Sequence, residues 1–322
     1  MGSKLERIEY YLPKKVLTNE MLEQEFPEWN SAKVEKKVGI RQRHIAADDE
    51  TAMDMALKAA HKVMDGVDPQ SIDFLLFCTQ SPEYLLPTTS CIIQNKLGLR
   101  TSIGAMDFNL GCSGYVYGIG LAKGLISAGI CKRILFLTGE TYSKYISLDD
   151  LSNRSIFGDA GTATIIDYSD IECIGEFIFG TDGDGADNLI VSEPSARFGY
   201  VMKDNYKPKL FMNGPEIFNF TIETIPSMIE SVLSANHLSK LDIDYYVLHQ
   251  ANKYILEFLI SQAGLDRERC HVDMLSCGNT VSNTIPIALK EAISQARIVS
   301  GNKVLLAGFG VGYSWGSTVI TV

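Results

Sequence analysis

The sequence contains no run of eighteen apolar residues, and it therefore predicts no transmembrane helix. Its first residues, Met-Gly-Ser-Lys-Leu-Glu-Arg, lack the apolar core of a secretory signal. The seven cysteines include no CxxC pair, and their odd number and scattered positions are typical of proteins in the reducing cytoplasm. We therefore expect a cytoplasmic protein that does not interact with a membrane.

Basic charge is also scarce, because 29 Lys and Arg residues stand against 39 Asp and Glu residues. A net charge of −10 argues against a nucleic acid partner, since phosphate binding needs a basic surface. The dense basic segment at residues 33–44 could bind a small anion, and a solvated helix face followed by a turn explains it equally well. Cys270, His271 and Cys277 match no zinc-binding spacing, so we expect no metal site.

What the sequence does contain is an internal repeat of apolar strands about 170 residues apart, which is too long a period for a solenoid. The matching pairs are residues 72–80 with 243–250 and residues 133–139 with 303–308. Helical patterns at residues 114–128 and 284–297 make strands and helices alternate in both halves. This alternation predicts an α/β fold with a mostly parallel sheet covered by helices on both faces.

The boundary between the two halves is expected near residues 167–174, where a strand gives way to a polar stretch. This gives an N-terminal half at residues 1–170 and a C-terminal half at residues 171–322. Residues 180–209 show little periodicity, and connections of this length are usually functional or disordered. We expect this segment to cover a surface or to help shape a substrate tunnel.

Cys112 is the first candidate functional residue, because it lies between a predicted strand at residues 102–110 and a predicted helix at residues 115–126. The positive end of that helix would favour the thiolate form of the cysteine. Gly111 and Gly114 would let a substrate carbonyl approach the sulfur closely. The alternative is a small buried core cysteine, which is the more common outcome for an isolated cysteine.

The second half offers partners for such a nucleophile at the ends of its strands. His249 follows a buried strand, at the sheet edge where ligands bind in α/β folds, although it could be a satisfied core histidine. Asn279 is expected between a short strand and a helix, where its amide could donate to an oxyanion or simply cap the helix. The turn Gly308-Phe-Gly-Val-Gly312 lacks the spacing of a dinucleotide site and offers backbone amides instead.

Four motifs, taken together and in this order, resemble the β-ketoacyl-acyl-carrier-protein synthase III family of thiolase-like condensing enzymes. They are GCSG at 111–114, IFGDAGTA at 156–163, HQAN at 249–252, and GNT at 278–280 with Pro286. The resemblance covers essentially the whole chain. It implies a thiolase-like fold, in which two duplicated βαβαβαββ halves form five layers in the order αβαβα, and usually a homodimer.

The resemblance also implies a decarboxylative Claisen condensation with no metal or redox cofactor. Cys112 would accept the acyl group from an acyl thioester, and the main-chain amides of Cys112 and Val311 would form the oxyanion hole. His249 and Asn279 would donate hydrogen bonds to the thioester oxygen of malonyl-acyl carrier protein. Acyl carrier protein would then be the partner, and the product would be a β-ketoacyl thioester.

Several positions depart from the family pattern or belong to its substrate-binding region. Lys33 stands where the family has a tryptophan that packs on coenzyme A, and Lys37 replaces an arginine. Arg154 lies closer to the IFGDAGTA motif than the family Asp-Arg pair does, and Leu86 lies where an aromatic residue often closes the starter tunnel. Asn252 ends the HQAN motif. These departures favour acyl carrier protein over coenzyme A as the donor of the starter group, and Leu86 favours a longer or branched starter.

Two other functions remain open at this point. A related enzyme could pass the acyl group from Cys112 to an alcohol or an amine without condensation, with His249 as general base. A non-catalytic partner subunit could retain the fold, although the intact Cys112, His249 and Asn279 argue against it.

Overall fold

The computed structural model describes residues 2–193, 195–197 and 209–322, in which two main sheets are packed with helices. The strands are β1 (Gly2–Tyr11), β2 (Lys15–Thr18), β3 (Gln42–Ile45), β4 (Phe74–Cys78), β5 (Gly104–Phe108), β6 (Arg133–Glu140), β7 (Ala160–Ser169), β8 (Ile174–Thr181), β9 (Leu189–Val191), β10 (Leu210–Met212), β11 (Tyr245–Leu248), β12 (Lys303–Gly310) and β13 (Ser314–Thr321). The helices are α1 (Asn19–Glu25), α2 (Ser31–Val38), α3 (Ala52–Val63), α4 (Thr89–Lys96), α5 (Gly114–Ser127), α6 (Leu151–Arg154), α7 (Gly214–Ala235), α8 (Lys253–Gln262) and α9 (Thr284–Ser294).

The two main sheets share one strand pattern. The first has the order β1-β7-β6-β4-β5, with β4 parallel to β5 and β6, and β7 antiparallel to β6 and β1. The second has the order β8-β13-β12-β11, with β11 parallel to β12, and β13 antiparallel to β12 and β8. A single parallel bridge between Tyr246 and Cys270 stands in place of a fifth strand. The predicted duplication is confirmed, since the repeated sequence segments form β4 with β11 and β6 with β12.

The repeated strands are apolar because helices cover the sheets on both faces. β11 is buried along its whole length, and β4 and β6 are buried from their second residue onward. Within each sheet the parallel strands bring their carboxyl ends to one edge: Cys78 and Glu140 in the first sheet, Leu248 and Gly310 in the second. In open α/β sheets ligands bind outside this edge, so the residues that follow these strands are the candidates for a site.

The helices and sheets form the five layers that the resemblance implies. α3 packs against β1 and β7 on the outer face of the first sheet, and α7 packs against β8 and β13 on the outer face of the second. α5 and α9 fill the space between the sheets and share one buried apolar cluster with strands of both. The order of layers is therefore αβαβα.

The central layer joins the two halves. α9 belongs to the second half but contacts β1 of the first, where the Lys290 ammonium lies 2.6 Å from the Glu9 carboxylate. One residue further along, the Tyr10 hydroxyl donates to Glu291 at 2.7 Å. α5 of the first half in turn packs against β12 and β13 of the second. Each half thus supplies a helix to the inner face of the other.

Several local predictions can be compared with these elements. The strand predicted before Cys112 is β5 and the helix predicted after it is α5. Residues 170–173 connect β7 to β8, and the division of the chain at residue 170 stays a prediction. In the segment at 180–209, β9 pairs antiparallel with β10, which follows the segment, and residues 194 and 198–208 lie outside the described residues. Within the described residues, none of the helices combines the length and apolarity that a membrane crossing requires.

Candidate active site

A cavity of about 140 Å³ lies where the carboxyl ends of strands from both sheets face each other. Its lining includes Cys112 from the first half and His249 and Asn279 from the second, together with Asn252 and Gly310. The structure thus brings the three predicted catalytic residues to one buried space, although Cys112 lies more than 130 residues before the other two (249 − 112 = 137).

Cys112 occupies the turn between β5 and α5 and is 5% exposed. The main-chain amides of Cys112 and Val311 lie close enough to the sulfur to lower the pKa of the thiol. Gly310 packs against the same side chain, because a Cβ atom at this position would lie 2.9 Å from both Cβ and Sγ of Cys112. Main-chain amides next to this sulfur are the groups that the resemblance assigns to an oxyanion hole, and that assignment stays a prediction.

The expectation that the helix end favours the Cys112 thiolate is wrong for this structure. Burial raises the pKa of the thiol to about 12, and the negative charge of Glu140 adds to the shift. The two amides lower the pKa but do not offset the loss of solvation. Cys112 also precedes Ser113, the N-cap of α5, so the sulfur belongs to a residue outside the first turn. Without substrate the thiol is protonated at neutral pH and needs a proton acceptor.

His249 directly follows β11 and is 2% exposed. Its Nδ1 lies 2.7 Å from Thr284 Oγ1, and the Thr284 hydroxyl is 3.1 Å from the main-chain oxygen of Val281. The single hydroxyl proton satisfies the Val281 carbonyl, so Nδ1–H donates to Thr284 and Nε2 keeps its lone pair. Burial lowers the pKa of His249 to about 3, which keeps the ring neutral and able to accept a proton.

Asn279 follows a turn at residues 275–277 rather than the short strand that the sequence predicts. A single bridge to Phe157 holds its backbone, with hydrogen bonds to Ile156 and Gly158 of 2.9 and 3.0 Å. Its side-chain Oδ1 accepts the Val281 N–H at 2.9 Å, so the amide NH2 group is left as a donor. The alternative role as a helix cap is not seen, because Asn283 is the N-cap of α9.

Val281 orients both polar side chains through its backbone. Its N–H fixes Asn279 and its carbonyl oxygen anchors Thr284, which in turn holds His249. Val281 adopts φ = 59°, a left-handed conformation that is a genuine outlier for a β-branched residue. Such conformations cost about 1–3 kcal/mol and persist only where the surroundings impose them. The sequence does not indicate this role, because valine is disfavoured in the left-handed conformation and would not be expected to adopt it at position 281.

Glu140 is a second residue that the sequence analysis did not single out. It ends β6, is fully buried, and accepts hydrogen bonds from the Gln80 N–H at 3.1 Å and from the Ser81 and Ser282 hydroxyls at 3.3 and 2.9 Å. Burial raises its pKa to about 8. The Ser282 contact ties the first half to the loop that carries Asn279. The sequence could have indicated Glu140, because an acidic residue directly follows the continuous apolar run of β6.

The residues predicted to bind substrate lie mostly outside the cavity. Lys33 and Lys37 are exposed on α2, and the Lys37 ammonium lies 5.6 Å from the ring centre of Tyr254. Leu86 is 82% exposed. Asn252 does line the cavity, and its side chain also caps α8 by accepting the Ile255 N–H at 2.9 Å.

Arg154 has partners of its own outside this cavity. Its guanidinium lies 2.7 Å from the Glu25 carboxylate and 2.7 Å from the main-chain oxygen of Leu148, and it stacks on Phe26 at 5.8 Å. Residues 2–193, 195–197 and 209–322 contain no group of three His, Cys, Asp or Glu side chains placed to hold a metal ion.

The duplicated five-layer architecture defines a thiolase-like enzyme, and comparison with known proteins identifies its family. The family model "3-Oxoacyl-[acyl-carrier-protein (ACP)] synthase III" matches residues 106–183, and the corresponding C-terminal model matches residues 233–322. The chain belongs to the β-ketoacyl-[acyl-carrier-protein] synthase III family and is an acyltransferase of the condensing type.

Similarity extends along the chain in both sequence and structure. The chain is 32% identical over 317 residues to the β-ketoacyl-[acyl-carrier-protein] synthase III of Clostridium perfringens, covering 96% of each protein. Identity to the enzyme of that name from Methylococcus capsulatus is 34% over 315 residues, with 96% of each covered. A 2.1 Å crystal structure of a 3-oxoacyl-(acyl-carrier-protein) synthase III superposes with a TM-score of 0.94 at 40% identity, covering 100% of both chains. The corresponding synthase of Burkholderia xenovorans gives 0.93 at 34% identity, covering 100% of this chain and 94% of that one.

Proposed function

We propose that the chain catalyses the decarboxylative Claisen condensation of an acyl thioester, held on Cys112, with malonyl-acyl carrier protein, to give a β-ketoacyl thioester. The observation that carries this proposal is the shared cavity, in which the Cys112 thiol, the neutral His249 ring and the Asn279 amide meet. The family membership supports the same reaction.

Acyl transfer to Cys112 comes first. The raised pKa of the thiol means that its proton must move as the sulfur attacks, and Nε2 of the neutral His249 can accept it. The new carbon–sulfur bond forms while the substrate oxygen becomes an oxyanion held by the Cys112 and Val311 amides. When this intermediate collapses, the leaving thiolate departs and takes the proton from the imidazolium.

Condensation follows on the acyl enzyme. The bond from the malonyl carboxylate to its neighbouring carbon breaks, carbon dioxide leaves, and the electron pair forms a thioester enolate. The Asn279 NH2 group donates to the enolate oxygen. His249 adds a second donor in its other neutral tautomer, in which the Thr284 hydroxyl donates to Nδ1 and the ring proton is on Nε2. The enolate carbon then attacks the acyl carbonyl, and the bond to the Cys112 sulfur breaks. Both steps use proton transfer and hydrogen bonds from this chain, so we infer that no metal or redox cofactor takes part.

Acyl carrier protein is the better candidate than coenzyme A for delivering the starter group. The Arg154 guanidinium, in the region where the family pattern has an Asp-Arg pair, is already engaged by Glu25 and Phe26. Lys33 and Lys37 lie on an exposed helix without an aromatic platform at position 33. Acylation rates with matched acyl-coenzyme A and acyl carrier protein donors test this assignment, and a faster coenzyme A reaction would contradict it.

A homodimer is expected from the exposed edge of the first sheet. β5 is the last strand of that sheet, and Met106 on it is exposed. The nearby loop also exposes Tyr84, Leu85 and Leu86, which is unusual for large apolar side chains on one loop. Pairing of β5 with a second copy would cover this edge. The free cysteines of the chain support residence in the reducing cytoplasm.

The proposed reaction is tested by mixing enzyme, acyl donor and malonyl-acyl carrier protein while measuring carbon dioxide release and the intact mass of the protein. Wild type should form acyl-Cys112, release carbon dioxide and yield the β-ketoacyl product. Cys112→Ala should abolish acylation but retain malonyl decarboxylation, whereas Asn279→Ala should acylate and lose decarboxylation. Acyl-Cys112 without carbon dioxide release would instead indicate transfer to an alcohol or an amine. No acylation by any thioester would indicate a non-catalytic subunit.

A further inference from the structure

The second main sheet is incomplete beside β11. In the first sheet β4 is flanked by β5 and β6, whereas β11 pairs with β12 on one side and has the single bridge between Tyr246 and Cys270 on the other. At this bridge the His271 N–H donates to the Tyr246 carbonyl oxygen at 2.9 Å. A parallel ladder would place its next hydrogen bond of this kind two residues further along, from the Asp273 N–H to the Leu248 carbonyl oxygen. A side chain makes the hydrogen bonds at this position instead.

That side chain belongs to Gln250, which is buried directly after His249. Its Nε2 donates to the carbonyl oxygens of Leu248 at 2.7 Å and His271 at 3.1 Å. Its Oε1 accepts the Asp273 N–H at 3.0 Å. Two carbonyl oxygens at one end and an N–H at the other determine the orientation of the amide. The side-chain amide therefore continues the ladder in place of a fifth strand.

The first consequence concerns the backbone of His249. The Leu248 carbonyl and the His249 N–H belong to one planar peptide unit. Gln250 donates to the carbonyl oxygen, and the N–H donates to the Ala307 carbonyl oxygen of β12 at 2.8 Å. The peptide is thus held on both sides, while Thr284 holds the ring at Nδ1. Gln250 supplies one of the contacts that determine where the His249 ring lies.

The second consequence concerns the segment that leads to Asn279. Gln250 binds this segment at His271 and Asp273. The next residue, Met274, accepts the N–H of Gly278 at 3.0 Å through its carbonyl oxygen, and Gly278 directly precedes Asn279. One side-chain amide therefore connects the strand end that carries His249 to the loop that carries Asn279.

We propose that Gln250 is a positioning residue for the condensation, because its amide sets the separation between the His249 ring and the Asn279 amide. Gln250 itself lies outside the lining of the cavity. The proposal rests on the proposed function, in which these two side chains donate hydrogen bonds to the malonyl thioester oxygen.

Gln250→Met tests this role, because methionine has a similar length but cannot replace the three hydrogen bonds. Two buried carbonyl oxygens would lose their donor, and the segments that they belong to would separate. The experiment measures carbon dioxide release over a range of malonyl-acyl carrier protein concentrations. We expect kcat to fall by about 100-fold, as for a misplacement of about 1 Å. KM should stay within about twofold of the wild-type value, because no contact with the substrate is removed.

Gln250→Glu separates the loss of these hydrogen bonds from a general loss of stability. A protonated carboxyl can donate to the Leu248 oxygen and accept the Asp273 N–H, whereas an ionised one can donate to neither carbonyl oxygen. The kcat of this variant, divided by that of wild type at the same pH, should therefore rise as the pH is lowered from 8 to 6. The same ratio for Gln250→Met should stay constant.

Gln94→Met is the matched control. Gln94 is a half-buried glutamine on α4, and its Nε2 also donates to a main-chain carbonyl oxygen, that of Leu99 at 2.5 Å. Its substitution should leave kcat and KM unchanged, even where the melting temperature falls.

A kcat of Gln250→Met within about threefold of wild type would overturn the proposal. If this variant does not fold, a Gln250→Glu ratio that does not change with pH would overturn it as well. Wild type that forms acyl-Cys112 without releasing carbon dioxide would refute the proposed condensation. The rate of Cys112 acylation in the same variants would then decide whether Gln250 positions His249: a slower rate supports this role, and an unchanged rate overturns it.

Discussion

Replacement of Gly310 by alanine tests whether the position of the Cys112 sulfur controls acyl transfer. The added Cβ would lie 2.9 Å from both Cβ and Sγ of Cys112. Nonbonded carbon atoms prefer separations of about 3.5–4.0 Å, so the two side chains must separate by roughly 0.6–1 Å. The sulfur would then move away from the Val311 amide that converges on it.

Both reactivity and stability should respond to this displacement. A shift of about 1 Å at a reacting centre can reduce the rate by about 100-fold, and overpacking of a buried site costs about 1–3 kcal/mol. We expect the rate of Cys112 acylation in Gly310→Ala to fall by about two orders of magnitude. Its free energy of unfolding, measured by chemical denaturation, should fall by the overpacking cost.

Gly124→Ala is the matched control for this experiment. Gly124 lies on α5, the helix that follows Cys112, and a Cβ there would meet no described atom within 4 Å. Alanine at a helix-interior glycine should stabilise the protein by about 0.5–1 kcal/mol and leave acylation unchanged. Acylation of Gly310→Ala within threefold of wild type would refute the reasoning, because it would mean that the sulfur can be displaced without consequence.

Three further predictions concern the titrating groups and their partners. Alkylation of Cys112 by iodoacetamide should accelerate about tenfold per pH unit between pH 6 and 10, because burial raises the thiol pKa to about 12, and a plateau near pH 8.5 would contradict this. Thr284→Val should lose most malonyl decarboxylation, because the His249 ring loses its anchor, whereas Thr284→Ser should retain it; equal rates in both variants would contradict the positioning role. Burial raises the Glu140 pKa from its ordinary value of 4.5 to about 8. The carboxyl therefore binds its proton more tightly in the folded state, and wild-type stability should fall as pH rises through this range. Glu140→Gln should remove a slope of up to about 1.4 kcal/mol per pH unit, measured by denaturation between pH 5 and 8, and parallel curves would refute the burial argument.

The main catalytic candidates could be predicted from the sequence, because they lie at the ends of strands that the repeated apolar segments predict. Cys112 and His249 come directly after elements that hydrophobic patterning predicts, and the motifs that contain them identify the family. The protonation state of Cys112 could not be predicted in this way, because two opposing physical effects act on the thiol. A helix end favours a thiolate, but the extent of burial around Cys112 depends on atoms from distant segments, Gly310 among them, and burial prevails.

The residues that orient the site could not be predicted for a different reason. Val281 acts through its N–H and carbonyl groups, so its side chain carries no information about the role. Tyr142 lines the cavity, and its hydroxyl donates to Gln80, which lies 62 residues earlier in the chain. Lys33 and Lys37 stand at positions where the family pattern has a tryptophan and an arginine, and their roles in substrate binding stay predictions.

The exchange of helices between the two halves has a consequence for how the molecule unfolds. The inner face of each sheet is covered partly by a helix of the other half, with the Lys290–Glu9 and Tyr10–Glu291 contacts across the junction. Although the two halves share one strand pattern, neither retains a complete apolar core when the other unfolds. The duplicated chain should therefore melt in a single cooperative transition, and each half expressed alone should expose the face that its partner covers and aggregate.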